Sequence, residues 1–148
     1  MSKRFRGQNL YLFLGLLPAM MLLLSAVIDF GRFMLLHAQA ASLADSAAQA
    51  SANALNLNSS SPGNWVLEPT LARRQADNIF ASWRQNRLPY ENWMQIRLER
   101  VDVVGNKVHV TVFAECSPIF LEAIGVGTYT IRVDSYARAA VGIQSEAS

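Results

Sequence analysis

Residues 7–28 carry no charged side chain, and from residue 10 onward the run is built almost wholly of Leu, Met, Phe, Ala, Val and Ile. A helix needs about 20 apolar residues to cross roughly 30 Å of hydrocarbon. In lipid every backbone polar group must be bonded within the segment, so a run of this kind has to be helical. Pro18 sits mid-run; it removes one backbone donor and is expected to kink the helix. Lys3, Arg4 and Arg6 precede the run and Arg32 follows it. The excess of basic residues on the N-terminal side places residues 1–9 in the cytoplasm and sends the remainder outward. A cleaved export signal would have an apolar stretch of about 7–15 residues followed by a small-x-small site. Here the run is longer, Leu24 spoils one such site, and Ala38-Gln-Ala40 lies beyond Asp29 and Arg32. The expectation is a retained transmembrane helix over residues 10–28.

Beyond the run the chain changes character. Of its basic residues eleven are Arg and two Lys, interleaved with acids, and the net charge is only +2. No basic block supports nucleic-acid binding. Cys116 is the only cysteine, so no intrachain disulfide is possible.

No helix breaker appears between Gly31 and Pro62, so the membrane helix is expected to continue outward as an Ala-rich extension over residues 29–57. Small residues recur at Ala40, Ala44, Ala47, Ser51 and Ala54, giving one narrow face suited to close packing on a partner or on the protein's own domain. The equivalent pair inside the membrane is Gly15 and Ala19, although small residues four apart also recur by chance in such a helix. Asp29 stands at the exit of the span, three residues before Arg32 on one helix face where the two can pair; it reads equally as a solvated interfacial charge or as a registry contact with a neighbouring helix in an assembly.

Residues 58–68 have linker composition, with Pro62-Gly63 and Asn58-Ser59-Ser60. Residues 69–148 read as an extracytoplasmic α+β domain. Pro69 opens an amphipathic helix whose apolar face holds Leu71, Ala72, Ala76, Ile79, Phe80 and Trp83. Met94, Ile96 and Leu98 alternate with polar residues, and Val101 and Val103 continue with the parity shifted by one, so a bulge belongs near Arg100. Val104-Gly-Asn-Lys107 is a hairpin turn. Val108, Val110 and Val112 line the next strand. Ser117 and Pro118 start a short helix through Ile124, closed by Gly125. Tyr129, Ile131, Val133 and Ser135 share one face of a third strand. The fold class is α+β: a transmembrane helix running into a long Ala-rich helix, then an amphipathic helix on a three-stranded antiparallel sheet with a short helical insertion.

Catalytic chemistry finds little foothold. His37 and His109 have no second His at ligand spacing. Cys116 has Glu115 beside it rather than a base and reads as a structural thiol. Gly125-Val-Gly127 lacks the third glycine and following helix of a phosphate loop. Trp65, Trp83 and Trp93 read as core or interface. The expectation is a non-enzymatic protein with no cofactor and no metal.

The stem resembles a known family. Arg6-Gly7-Gln8, the internal Leu-Pro, Val27-Ile-Asp-Phe-Gly-Arg32, and an Ala-rich continuation with Gln39, Ala40, Ala44-Asp45 and Ala47-Ala48 are similar to TadE/TadG-like proteins of the Tad (Flp, type IVc) pilus system. Pro118–Gly125 and Ala137–Ala139 look similar to the family's C-terminal half. The resemblance implies a minor pilin-like or assembly component in the inner membrane. Its partners would be the lipid bilayer, other pilus or secretion-system membrane proteins, and copies or relatives of itself. In the TadE type a prepilin peptidase cuts after a Gly, with a Glu fifth in the mature chain. Cleavage between Gly7 and Gln8 would put Leu12 there, and no Glu occurs in residues 7–28, so the resemblance points to a retained, TadG-like anchor. Gly15, Ala19, Asp29, Gly31, Arg32, Ala40, Ala44, Ala47 and Ser51 are the expected packing positions. The alternative from another class is a membrane-tethered sensory or ligand-binding domain.

Overall fold

The computed structural model describes residues 5–54, 67–88 and 93–139; the expected linker up to residue 66, with Pro62 and Trp65, and the C-terminal segment from residue 140 lie outside them. The first helix, α1, runs unbroken over Phe5–Ala52, through Pro18. It is long and apolar enough to cross a membrane, the one such helix among the described residues. Its first part projects away from the rest of the molecule: Tyr11, Leu12, Leu14 and Leu23 are exposed, while Leu36, Ala40, Ala44, Ala47 and Ala48 are fully buried. One helix thus serves two environments, and the change falls between residues 28 and 36. The helix closes at Ala52, where Ala54 N–H bonds Ser51 C=O at 3.1 Å.

The second helix, α2 (Pro69–Asn86), has proline in its first turn and no side-chain cap at Glu68. It buries Ala72, Ala76 and Phe80. Leu71, placed on that face by periodicity, is instead exposed. The strands β1 (Met94–Val104), β2 (Lys107–Cys116) and β3 (Tyr129–Arg138) form an antiparallel sheet in the order β1-β2-β3. Leu98 pairs Val112 while Arg100 pairs Thr111, so Glu99 is the extra residue of a bulge. The bulge restores Val101 and Val103 to the core side, as the parity shift in the sequence requires. The β1–β2 hairpin closes through Gly105 at φ +62° with no positive φ at Asn106, the arrangement of a two-residue type II′ turn.

The sheet's main cover is the Ala-rich half of α1, with α2 wedged against α1 and the β1 edge. Alanines on the facing stripe let the helix axis approach the sheet closely, so Val108, Val110, Val112 and Ala114 are sealed completely. Ser51 lies in this seam, and its hydroxyl donates to Ala72 C=O of α2 at 2.9 Å, satisfying a buried polar group. Ser135 donates to Asp45 at 2.6 Å, tying β3 to α1. Cys116 is buried and free, and burial pushes its thiol pKa up, as suits an inert structural cysteine.

Candidate functional site

The chemistry of the chain concentrates where α1 leaves its apolar run. Asp29 is 1% exposed although it is the first charged residue after the run. A buried carboxylate is costly unless its oxygens are bonded. Here Oδ1 accepts from Ile119 N–H at 2.9 Å, and Oδ2 accepts from Phe120 N–H at 2.9 Å and Leu121 N–H at 2.8 Å. Successive N–H groups turned to one side make an anion-binding concavity, and hydrogen bonds to a charged acceptor are the strong kind.

This arrangement changes the expected insertion. Only Leu121–Ile124 is helical, a single 3-10 turn, and Ser117 and Pro118 precede it rather than cap it. The N–H groups that open a short helix have no internal partner, and Asp29 supplies the acceptor from 90 residues upstream. At the other end Gly125, at φ +86°, donates to Glu122 C=O while Val126 N–H bonds Leu121 C=O, the paired bonds of a Schellman closure.

Arg32 completes a clamp. Its guanidinium lies 4.4 Å from the Trp93 ring centroid at the start of β1, a cation–π contact. Arg32 Nη1 is buried with no hydrogen-bond partner. One turn after Asp29, Phe33 meets Tyr129 of β3 edge to face at 5.6 Å. The membrane-side edge of the head is therefore gripped at three points by residues 29–33. Gly31, two positions from Asp29 and so about 200° round the helix, faces away from the head, and a Cβ there would touch nothing.

Of the remaining expected positions, Ala40, Ala44, Ala47 and Ser51 are packed on the protein's own sheet and α2. Gly15 has open space around it and Ala19 is exposed on the apolar part of α1. Gly7 and Gln8 fall in the first turns of α1.

Elsewhere the outer face of the sheet carries His109, whose Nε2 lies 3.0 Å from Asp134 Oδ1 and whose ring stacks on Tyr136 at 4.3 Å. Thr111 donates to the same Asp134 oxygen at 2.8 Å. That hydroxyl and His109 hold the Asp134 carboxyl below the usual carboxylate range. Among the described residues no group of three His, Cys, Asp or Glu side chains could hold a metal ion. A polar hollow of about 300 Å³ between Trp93, Glu115, Ser117 and Thr128 adjoins the clamp.

Fold and clamp together define a class: a small α+β head backed by the continuation of a stem helix that, among the described residues, is the one long and apolar enough to cross a membrane. Residues 7–54 match the family model described as "Putative Flp pilus-assembly TadE/G-like". The match covers about a third of the chain, takes in the whole clamp motif on α1, and supports a TadE-like protein of the Tad pilus system. No curated protein and no solved structure matches the chain.

Proposed function

We propose that this protein is a non-enzymatic, single-pass component of a Tad/Flp-type pilus or secretion apparatus, minor pilin-like or an assembly protein, acting through the packing surfaces of its helix and head. Residues 1–9 lie in the cytoplasm, residues 10–28 cross the inner membrane, and the Ala-rich extension, the linker at residues 58–68 and the domain from residue 69 onward stand outside. One observation carries the reading: Asp29 and Arg32, both inside the segment that matches the pilus family, are spent on fixing the head to the stem. A head locked to its helix transmits force and orientation, which an assembly component needs and a freely tethered receptor does not.

The surfaces left for partners follow from what the head does not use. Gly31 and the exposed Met34 and Leu35 lie on α1 clear of the head, and Gly15 and Ala19 offer a small-residue approach within the span. These would take a neighbouring helix from another pilus-system membrane protein or a second copy. The test is cross-linking from photoreactive residues placed at Gly31 and Leu35 in cells, followed by identification of the products. Adducts to pilus-system proteins or to the chain itself are expected. Their absence, together with unaltered piliation on deletion of the gene, would refute the proposal. Intact-mass measurement decides processing: an uncut chain is expected, and loss of residues 1–7 would make it a processed pilin.

A further inference from the structure

The segment that Asp29 grips is itself apolar and exposed. Ile119 is 56%, Phe120 42% and Ile124 61% exposed, although each is within a few residues of the pinned amides. Between this loop and α1 runs an open groove of about 620 Å³, lined by Leu23, Ala26, Val27, Phe30, Leu121 and Tyr129 among others. Its helix wall reaches down to Leu23, six residues before Asp29 and hence about 9 Å deeper along the axis. Leu23, Ala26 and Val27 of that wall belong to the uncharged run of residues 7–28, and Phe30 and Phe33 continue it past Asp29. The loop therefore hangs beside the last turns of the membrane helix rather than above them.

The strands fix which way the loop points. Tyr129 meets Phe33 at the start of β3, and Ser135 meets Asp45 farther along. β3 thus climbs away from the span with α1, and the hairpin at Gly105 lies at the far end of the sheet, paired next to Arg138. The turn between β2 and β3 is the edge of the head nearest the apolar run.

We propose that residues 119–124 are a membrane-docking loop. Ile119, Phe120 and Ile124 enter the leaflet on the head's side, and a phospholipid acyl chain fills the groove between Leu121 and Val27. The proposal rests on the reading of residues 10–28 as a transmembrane helix. Continuity selects the occupant: the groove is an extension of a helix surface that already needs lipid around it. Glu122, exposed on the same loop, keeps the insertion shallow, at the headgroup–acyl boundary where interfacial segments settle. Asp29 then has a second consequence. By holding the three loop amides it covers backbone donors that would otherwise face a medium with few acceptors.

The test uses the full chain in phosphatidylcholine vesicles with brominated acyl chains. An environment-sensitive fluorophore is attached to single cysteines replacing Ile124, Leu17 or Val104, in a Cys116→Ala background and again with native Cys116, which is 3% exposed. Protease resistance of the head checks folding in each variant. Bromolipid is expected to quench the probe at position 124 several-fold more than at position 104 on the distal hairpin, and less than at position 17 in mid-span. Quenching at 17 with position 124 no different from 104 would overturn the loop proposal alone. A blue-shifted, unquenched probe at 124 that cross-links between copies would also overturn it, assigning the groove to a second chain. No quenching at 17 would overturn the transmembrane reading and this proposal with it.

Discussion

Replacing Asp29 with asparagine preserves the outline of the side chain and removes its charge and one acceptor. The native carboxylate receives one N–H on Oδ1 and two on Oδ2. In its better orientation the amide keeps the two bonds from Phe120 and Leu121 and turns its own NH2 toward the Ile119 N–H. One charge-assisted bond is lost outright, the other two weaken, and a donor faces a donor. A hydrogen bond to a charged group contributes about 1.5–3 kcal/mol, so Asp29→Asn should destabilise the docked loop by about 2–4 kcal/mol. Asp29→Ala leaves all three donors without the carboxylate and should cost more. Hydrogen exchange in detergent or nanodiscs reads this directly, because local opening governs exchange of protected amides. The amides of Ile119, Phe120 and Leu121 should exchange roughly 30- to 700-fold faster in Asp29→Asn, taking about 1.4 kcal/mol per tenfold. Amides of Val110 and Val112 in the central strand should change far less. Unaltered exchange at residues 119–121 in Asp29→Ala would refute the clamp.

Other consequences are as specific. Arg32→Ala removes the cation–π contact with Trp93 and should lower the head's stability by about 0.5–2 kcal/mol in chemical denaturation, with Arg32→Lys less damaging. Ala44→Leu or Ala47→Leu overfills the seam between α1 and the sheet and should cost about 1–3 kcal/mol or more, whereas Ala38→Leu on the exposed side of α1 should be nearly neutral by the same measurement. Ser51→Ala leaves Ala72 C=O of α2 without its side-chain donor and should destabilise by about 1 kcal/mol. Asp134 has a folded pKa below its unfolded one, so its stabilising contribution is present above the unfolded value and is lost as pH falls through the folded value. Thr111→Ala should raise the Asp134 carboxyl pKa in an NMR titration; no rise would mean that the hydroxyl does not hold it.

The stem, the bulge and the strand faces could be read from the sequence because each follows from a local rule. A long uncharged apolar run can satisfy its backbone in lipid only as a helix. Alternation along Met94, Ile96 and Leu98, and its one-residue slip before Val101, fixes which side of the sheet is buried. The Ala-rich stripe announced close packing, yet composition could not say against what; the structure puts the chain's own sheet there. Asp29 shows the limit most clearly. Local spacing offered Arg32 as its partner, three residues along the helix; its charge does act on Asp29, but the hydrogen-bond partners are amides 90–92 residues away. A backbone N–H carries no residue signature, so nothing in residues 119–121 marks them as donors for that carboxylate. The short insertion departs from its sequence pattern for the same reason: Ser117 is the residue type of a cap, but the capping acceptor, Asp29, comes from another element. Local rules alone specify an apolar helix long enough to cross a membrane, an Asp-x-Gly-Arg sequence at its end and a small α+β head beyond it. That these residues grip the β2–β3 edge of the head emerges with the folded chain, because it depends on which distant backbone donors are brought against the carboxylate.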